Sequence, residues 1–161
     1  MMMTSPADQL FITIRSKDDA KLKSLLQADP ELVASRDSRG FSPLVLATYL
    51  NNLAAAEILV ASGADMNATD GMGNTALMGS CFKGNTEIIR YLIGAGAEVN
   101  IAAGNGGTAL HFAALVNKPE IAAMLIDAGA DLKIKDDKGM TAADHAEQQG
   151  AVALAAQLSP D

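Results

Sequence analysis

Two side chains in this chain could do covalent or proton-transfer chemistry on their own terms: the imidazole of His111 as a general base and the thiol of Cys81 as a nucleophile. Each needs company. No second histidine or carboxylate sits at a helical spacing that would orient His111. Nor does a base stand near Cys81 in the chain, and no Cys or His pair has zinc spacing. As the single cysteine, Cys81 cannot close an intramolecular disulfide, so an oxidised secreted scaffold is excluded and a reducing cytoplasm is expected.

Two polar stretches could hold ions. AAGNGGT at residues 102–108 is glycine-rich like a phosphate loop, but it lacks the Lys-Ser/Thr ending of a Walker motif and the strand that precedes a dinucleotide fingerprint. Asp136 and Asp137 resemble the start of a calcium loop, yet further ligands in register are missing, and Asx-turn chemistry explains the pair. The reading is of no cofactor, no metal and no catalysis.

Composition narrows the partners. The net charge of −7 opposes a polyanion, because phosphate neutralisation needs a basic stripe that this sequence lacks. Nucleic acid is therefore not expected. No stretch approaches the roughly 20 apolar residues of a membrane span, and the opening MMMTSPADQLFITIR has no basic region ahead of an apolar segment, so neither membrane nor secretory export is expected. Hydrophobic residues make up 49% of the chain and aromatic residues only 4%, which favours thin, closely spaced helices.

The elements that must position these residues repeat. Gly40, Gly73, Gly106 and Gly139 recur every 33 residues, and Gly63, Gly96 and Gly129 form a second series with the same step. On this register SPLVLA, TALMGS, TALHFA and TAADHA align from Ser42, Thr75, Thr108 and Thr141. Each of these hydroxyls can accept a bond from the free N–H groups of a first helical turn, and Pro43 suits the first helical position. A second helix follows: Ile88, Ile89, Leu92 and Ile93 put their apolar groups on one face, as do Ile121, Ala122, Leu125 and Ile126. Glycine at 63, 96 or 129 ends that helix in a left-handed cap. Polar stretches such as ADMNATDGMGN then read as β-turn or hairpin fingers. Two helices and a turn cannot bury their own apolar faces, so the units must stack into a solenoid.

On these residues the chain resembles the ankyrin-repeat family, whose signature is a 33-residue period with T-P-L-H-x-A. The resemblance implies an all-α solenoid of helix-turn-helix units joined by β-hairpin or turn fingers. One domain over residues 1–161 would comprise an N-terminal cap (4–36), three repeats (37–69, 70–102, 103–135) and a closing half-repeat (136–161). Only one unit keeps both Thr and His, at Thr108 and His111; only one keeps the proline, Pro43; and Ala103 stands where the other units have Asp37, Asp70 and Asp136. The family's pattern implies that His111 braces the turn before its helix. His145 falls one register position later, so the two rings need not share a face. Cys81 aligns with Thr48, Ala114 and Glu147 at a site that usually takes a small residue, so a packed, inert thiol is expected.

Positions that vary between units carry what is particular to the molecule. In the fingers these are Ser38, Arg39, Phe41, Met72, Asn74, Asn105, Gly107, Asp137, Lys138 and Met140; at the ends of the first helices they are Tyr49, Leu50, Phe82, Lys83, Leu115, Val116, Gln148 and Gln149. By resemblance both sets line a concave face that binds a partner. Phe41, Tyr49, Met72, Phe82, Leu115, Val116 and Met140 would form an apolar patch there unless they tuck under adjoining fingers, with Arg39, Lys83 and Lys138 as a polar rim. The expected function is a non-catalytic, monomeric, protein-binding module. The alternatives are a small-ligand binder or enzyme using His111 or Cys81, and self-association through the apolar patch.

Overall fold

A computed structural model describes residues 3–160. Helix α1 (Pro6–Ser16) starts because Ser5 accepts the Asp8 N–H at 3.0 Å while the Asp8 carboxylate accepts the Ser5 N–H at 3.2 Å, a reciprocal cap with Pro6 in the first turn. Helix α2 (Asp19–Ala28) is capped by Asp18, and a short 3-10 turn (Pro30–Ala34) leads into the repeats. Four helix pairs follow: α3 (Pro43–Tyr49) with α4 (Leu53–Ala61), α5 (Ala76–Lys83) with α6 (Thr86–Gly94), α7 (Ala109–Leu115) with α8 (Pro119–Asp127), and α9 (Ala142–Gln148) with α10 (Val152–Leu158).

First helices pack on first helices from α1 through α9, and α8 bridges α6 and α10 in the second row. The buried side chains form one cluster running the length of the stack, from Leu10 and Ile14 through Leu59, Leu92 and Leu125 to Leu154 and Leu158. Each unit completes its neighbour's core. Gly63, Gly96 and Gly129 follow their helices at φ of 95°, 100° and 96°, which a residue without Cβ adopts at least cost.

The fingers are tight turns rather than strand ladders. Thr69 and Thr75 form the single bridge pair among the described residues, so the turn and not the hairpin describes them. In three of the four, an aspartate organises the turn: Asp37 Oδ1 accepts from the Arg39 and Phe41 N–H groups at 2.9 Å, Asp70 from Met72 and Asn74 at 2.9 Å, and Asp136 from Lys138 at 2.9 Å and Met140 at 3.0 Å. Asp137 lies within the last of these turns but its side chain does not organise it, and its backbone N–H reaches the Asn105 carbonyl at 3.0 Å. The finger at Ala103 keeps its backbone closure, with Ala103 N–H on Gly107 O at 2.8 Å, and Asn105 Oδ1 accepts the Gly107 N–H at 3.0 Å. Successive fingers are stitched together: Gly104 N–H donates to Met72 O at 3.0 Å, and the Arg36 guanidinium bridges the carbonyls of Gly40 and Thr69.

Both ends expose polar side chains at Lys17, Asp18, Lys21, Lys23, Asp144, Glu147, Gln148 and Gln149, but Val152 stands 76% exposed on the last helix.

Candidate functional site

The hydroxyl caps place the first helices, and what occupies the third helical position tells the units apart. Ser42, Thr75 and Thr141 accept from the N–H groups of Val45, Met78 and Asp144 at 3.1, 3.3 and 3.2 Å. Thr108 departs from this expectation: its hydroxyl lies 3.0 Å from His111 Nδ1, and its own N–H donates to that nitrogen at 3.1 Å. Since Nδ1 accepts, the proton sits on Nε2, which donates to the Met140 carbonyl in the next finger at 3.0 Å. Both ring nitrogens are committed to the fold. Burial, the largest influence, pulls the ring's pKa below 6.5. His111 is a neutral strut.

The register leaves the relation of His145 to His111 open, and the structure brings the two rings together. They meet edge to face with centroids 5.7 Å apart, and His145 Nε2–H donates to Asp136 Oδ2 at 2.6 Å. Asp136 thus closes its own turn with one oxygen and anchors the closing unit with the other. Burial would raise its pKa, but the bonds from His145, Met140 and Lys138 outweigh that and hold the carboxylate below 3.8. These groups, with Asn105, Phe112, Leu115, Asp137 and Lys138, surround a hollow of about 220 Å³.

Cys81 lies fully buried in α5, and burial pushes its pKa up to about 12. At neutral pH the thiol stays protonated, so it cannot supply a thiolate nucleophile. Among the described residues no group of three or more His, Cys, Asp or Glu side chains could hold a metal ion.

A second concavity, of about 270 Å³ and lined almost wholly by apolar surface, opens between the first two full fingers and the first helices. Tyr49 and Phe82 share a register position one repeat apart, at 45% and 57% exposure. Tyr49 leans on the half-buried Phe41 with centroids 6.1 Å apart, and Phe82 meets Phe112 edge-on at 6.4 Å. Arg39 caps the Phe41 ring at 4.6 Å, and Lys83 Nζ stands 3.9 Å from the Tyr49 ring centroid while donating to the Tyr49 carbonyl at 3.4 Å. Asn74 and Asp70 line the finger side.

Phe112 borders both hollows, so the two form one strip. The strip brings together Phe41, Tyr49, Asn74, Phe82 and Lys83 at one end and Asn105, Leu115, Asp137 and Lys138 at the other. Ser38, Leu50, Met72, Val116 and Met140 line neither hollow: Met72 projects at 76% exposure, Leu50 and Val116 are helix caps, and Met140 is half-buried with its carbonyl held by His111. Sequence reasoning passes over Phe112, Gly79 and the Asp136–His145 pair. Their signal was present in the register that aligns Leu46, Gly79, Phe112 and His145, four unlike residues at one position.

No helix among the described residues is long and apolar enough to cross a membrane. The family model for ankyrin repeats (3 copies) matches residues 10–103 and 50–136. None of the curated proteins searched matches the chain. The period, the paired helices and the turn fingers agree with the family match: the chain belongs to the ankyrin-repeat family.

Proposed function

We propose that this chain is a non-catalytic binding module that holds another protein against the strip formed by its fingers and first helices. Ankyrin repeats generally serve as protein–protein interaction modules. The observation that supports the reading here is the exposure of Tyr49, Phe82 and Leu115, three large apolar side chains one repeat apart on successive first helices. Apolar groups in register on a rigid surface can be desolvated together by one partner, at little ordering cost. The polar residues Asn74, Asn105, Asp137 and Lys138 stand beside them as hydrogen-bonding rim. A cytoplasmic setting belongs to the same proposal, on the ground that the single cysteine is a buried free thiol.

The test is site-directed photocrosslinking. A benzophenone side chain at Phe82 or Leu115 should yield an adduct with a partner protein, while the same group at the exposed Glu57 or Arg90 of the second helices should not. Adducts from Glu57 or Arg90 with none from Phe82 and Leu115 would assign binding to the other side of the stack.

A further inference from the structure

At the register position where the neighbouring repeats carry Leu46 and Phe112, α5 carries Gly79. A Cβ built there meets no atom within 4 Å, so the absence of a side chain leaves a notch in the floor of the apolar hollow. Its walls are the rings of Phe41, Tyr49, Phe82 and Phe112. At about 270 Å³ the hollow lies just below the roughly 300–1,000 Å³ of small-molecule sites, which suits one large side chain rather than a whole cofactor.

The charges around it select what accompanies that side chain. Arg39 and Lys83 already cover the Phe41 and Tyr49 rings, so an incoming cation would meet two like charges. Arg39 shares its charge with Asp37 at 4.0 Å, and the Asp70 carboxylate accepts bonds from Met72 and Asn74 of its own finger. Lys83 has no carboxylate within 4.0 Å among the described residues. It is an unneutralised cation at the lip of an apolar notch, in a chain of net charge −7.

Resting on the binding reading above, we infer that the Gly79 notch is the anchor subsite of that face: it takes one large apolar side chain of a partner protein whose neighbouring residue is Asp or Glu, read by Lys83. The test is a random-peptide display selection against the full chain, with each selected peptide assayed by fluorescence anisotropy on wild type and variants. Selected peptides should share an aromatic, Leu or Met residue beside an acidic one. Gly79→Leu, which puts back the side chain of the preceding repeat, should weaken them roughly tenfold or more. Gly79→Ala should weaken them less, in the same direction, and guards against a Leu variant that fails to fold. Lys83→Glu should weaken them several-fold at low salt, with the loss fading as salt is added.

Peptides that lose affinity for Tyr49→Ala or Phe82→Ala yet bind Gly79→Leu and Gly79→Ala like wild type would overturn the notch while leaving the face. Peptides indifferent to all of these variants, or an empty selection, would sink the face and the notch together. A selection dominated by Lys or Arg beside the apolar residue would overturn the assignment of an acidic partner.

Discussion

The two halves of the strip use the same register positions for opposite ends. Around α5, position three of the first helix is Met78, whose thioether accepts the Thr75 N–H at 3.4 Å, and position four is Gly79, which leaves a gap. Around α7 and α9 the matching positions hold His111 and Phe112, then Asp144 and His145, and the three polar side chains make their hydrogen bonds inside the protein. The α5 half keeps apolar surface without a partner. In the C-terminal half His111 and His145 spend their ring nitrogens on tying finger to helix. Residues alike in alignment therefore divide into those whose bonding capacity the fold consumes and those it leaves open, and this division depends on the neighbouring side chains.

The largest expected effect breaks the consumed half. His111→Ala strands the Thr108 N–H and the Met140 carbonyl and leaves a cavity between two units, which should cost about 2–4 kcal/mol in urea unfolding. Met78→Leu, at the same register position, forfeits only a weak sulfur acceptor and should cost under about 1.5 kcal/mol. Equal losses at the two sites would erase the distinction between the halves.

A comparably direct test uses the finger glycines. Gly73 and Gly139 adopt φ of 80° and 75°, so alanine strains either one. At Gly73, however, a Cβ would lie 2.7 Å from the backbone nitrogen of Gly104 in the next finger, whereas at Gly139 it meets nothing within 4 Å. Gly73→Ala should destabilise by roughly 1–3 kcal/mol or more and Gly139→Ala by about 1 kcal/mol, since only the former also pushes two backbones apart. Thermal melts of the two variants would rank them, and the reverse order would show that the inner fingers yield more readily than the last one.

Much of this was legible beforehand, and the reason is physical. Helix caps, glycine turns and apolar stripes are decided within one unit, so a 33-residue register exposes them. The bracing role of His111 followed from family resemblance, and its Nδ1 contact spans only three residues. Two contacts that escaped the sequence join units, Phe82 to Phe112 and His111 to His145, and a third runs from finger to helix inside the closing unit, Asp136 to His145. The sequence marks Asp136 for turn chemistry because one oxygen does that; the second is put to use only once α9 folds back over the finger. The notch at Gly79 is made by a side chain that is not there, so it shows only when its neighbours are in place. Likewise the apolar finger residues could not be sorted by type: Met72 projects into water, whereas Phe41 and Met140 are half-buried.

Acid should separate the halves more gently. The unfolded His111 ring takes up its proton near pH 6.5, whereas the folded ring resists it because burial lowers its pKa. The native bonds of this ring thus contribute fully above pH 6.5, and that contribution falls as pH drops below 6.5 and through the lowered native value. The Asp136 carboxylate, also held low in the native state, adds a second loss that begins only below about 3.8 and runs through its native pKa. Urea midpoints at pH 7.5 and 5.5 should therefore differ more for wild type than for His111→Leu. An undiminished difference in the variant would place the sensitivity elsewhere.

The smallest effect comes from the open half and has the opposite sign. Gly79 lies inside α5, where glycine costs about 0.5–1 kcal/mol relative to alanine through the freedom it retains when unfolded. An added methyl meets open space, so Gly79→Ala should raise stability by that amount, read as a small upward shift in Tm. A helix that gives up stability at a site with room for a side chain is what a binding surface would produce, because selection for an open notch and selection for a stable helix conflict there. If Gly79→Ala lowered the Tm instead, the notch would be packing that alanine disturbs, and the open half would lose its defining feature.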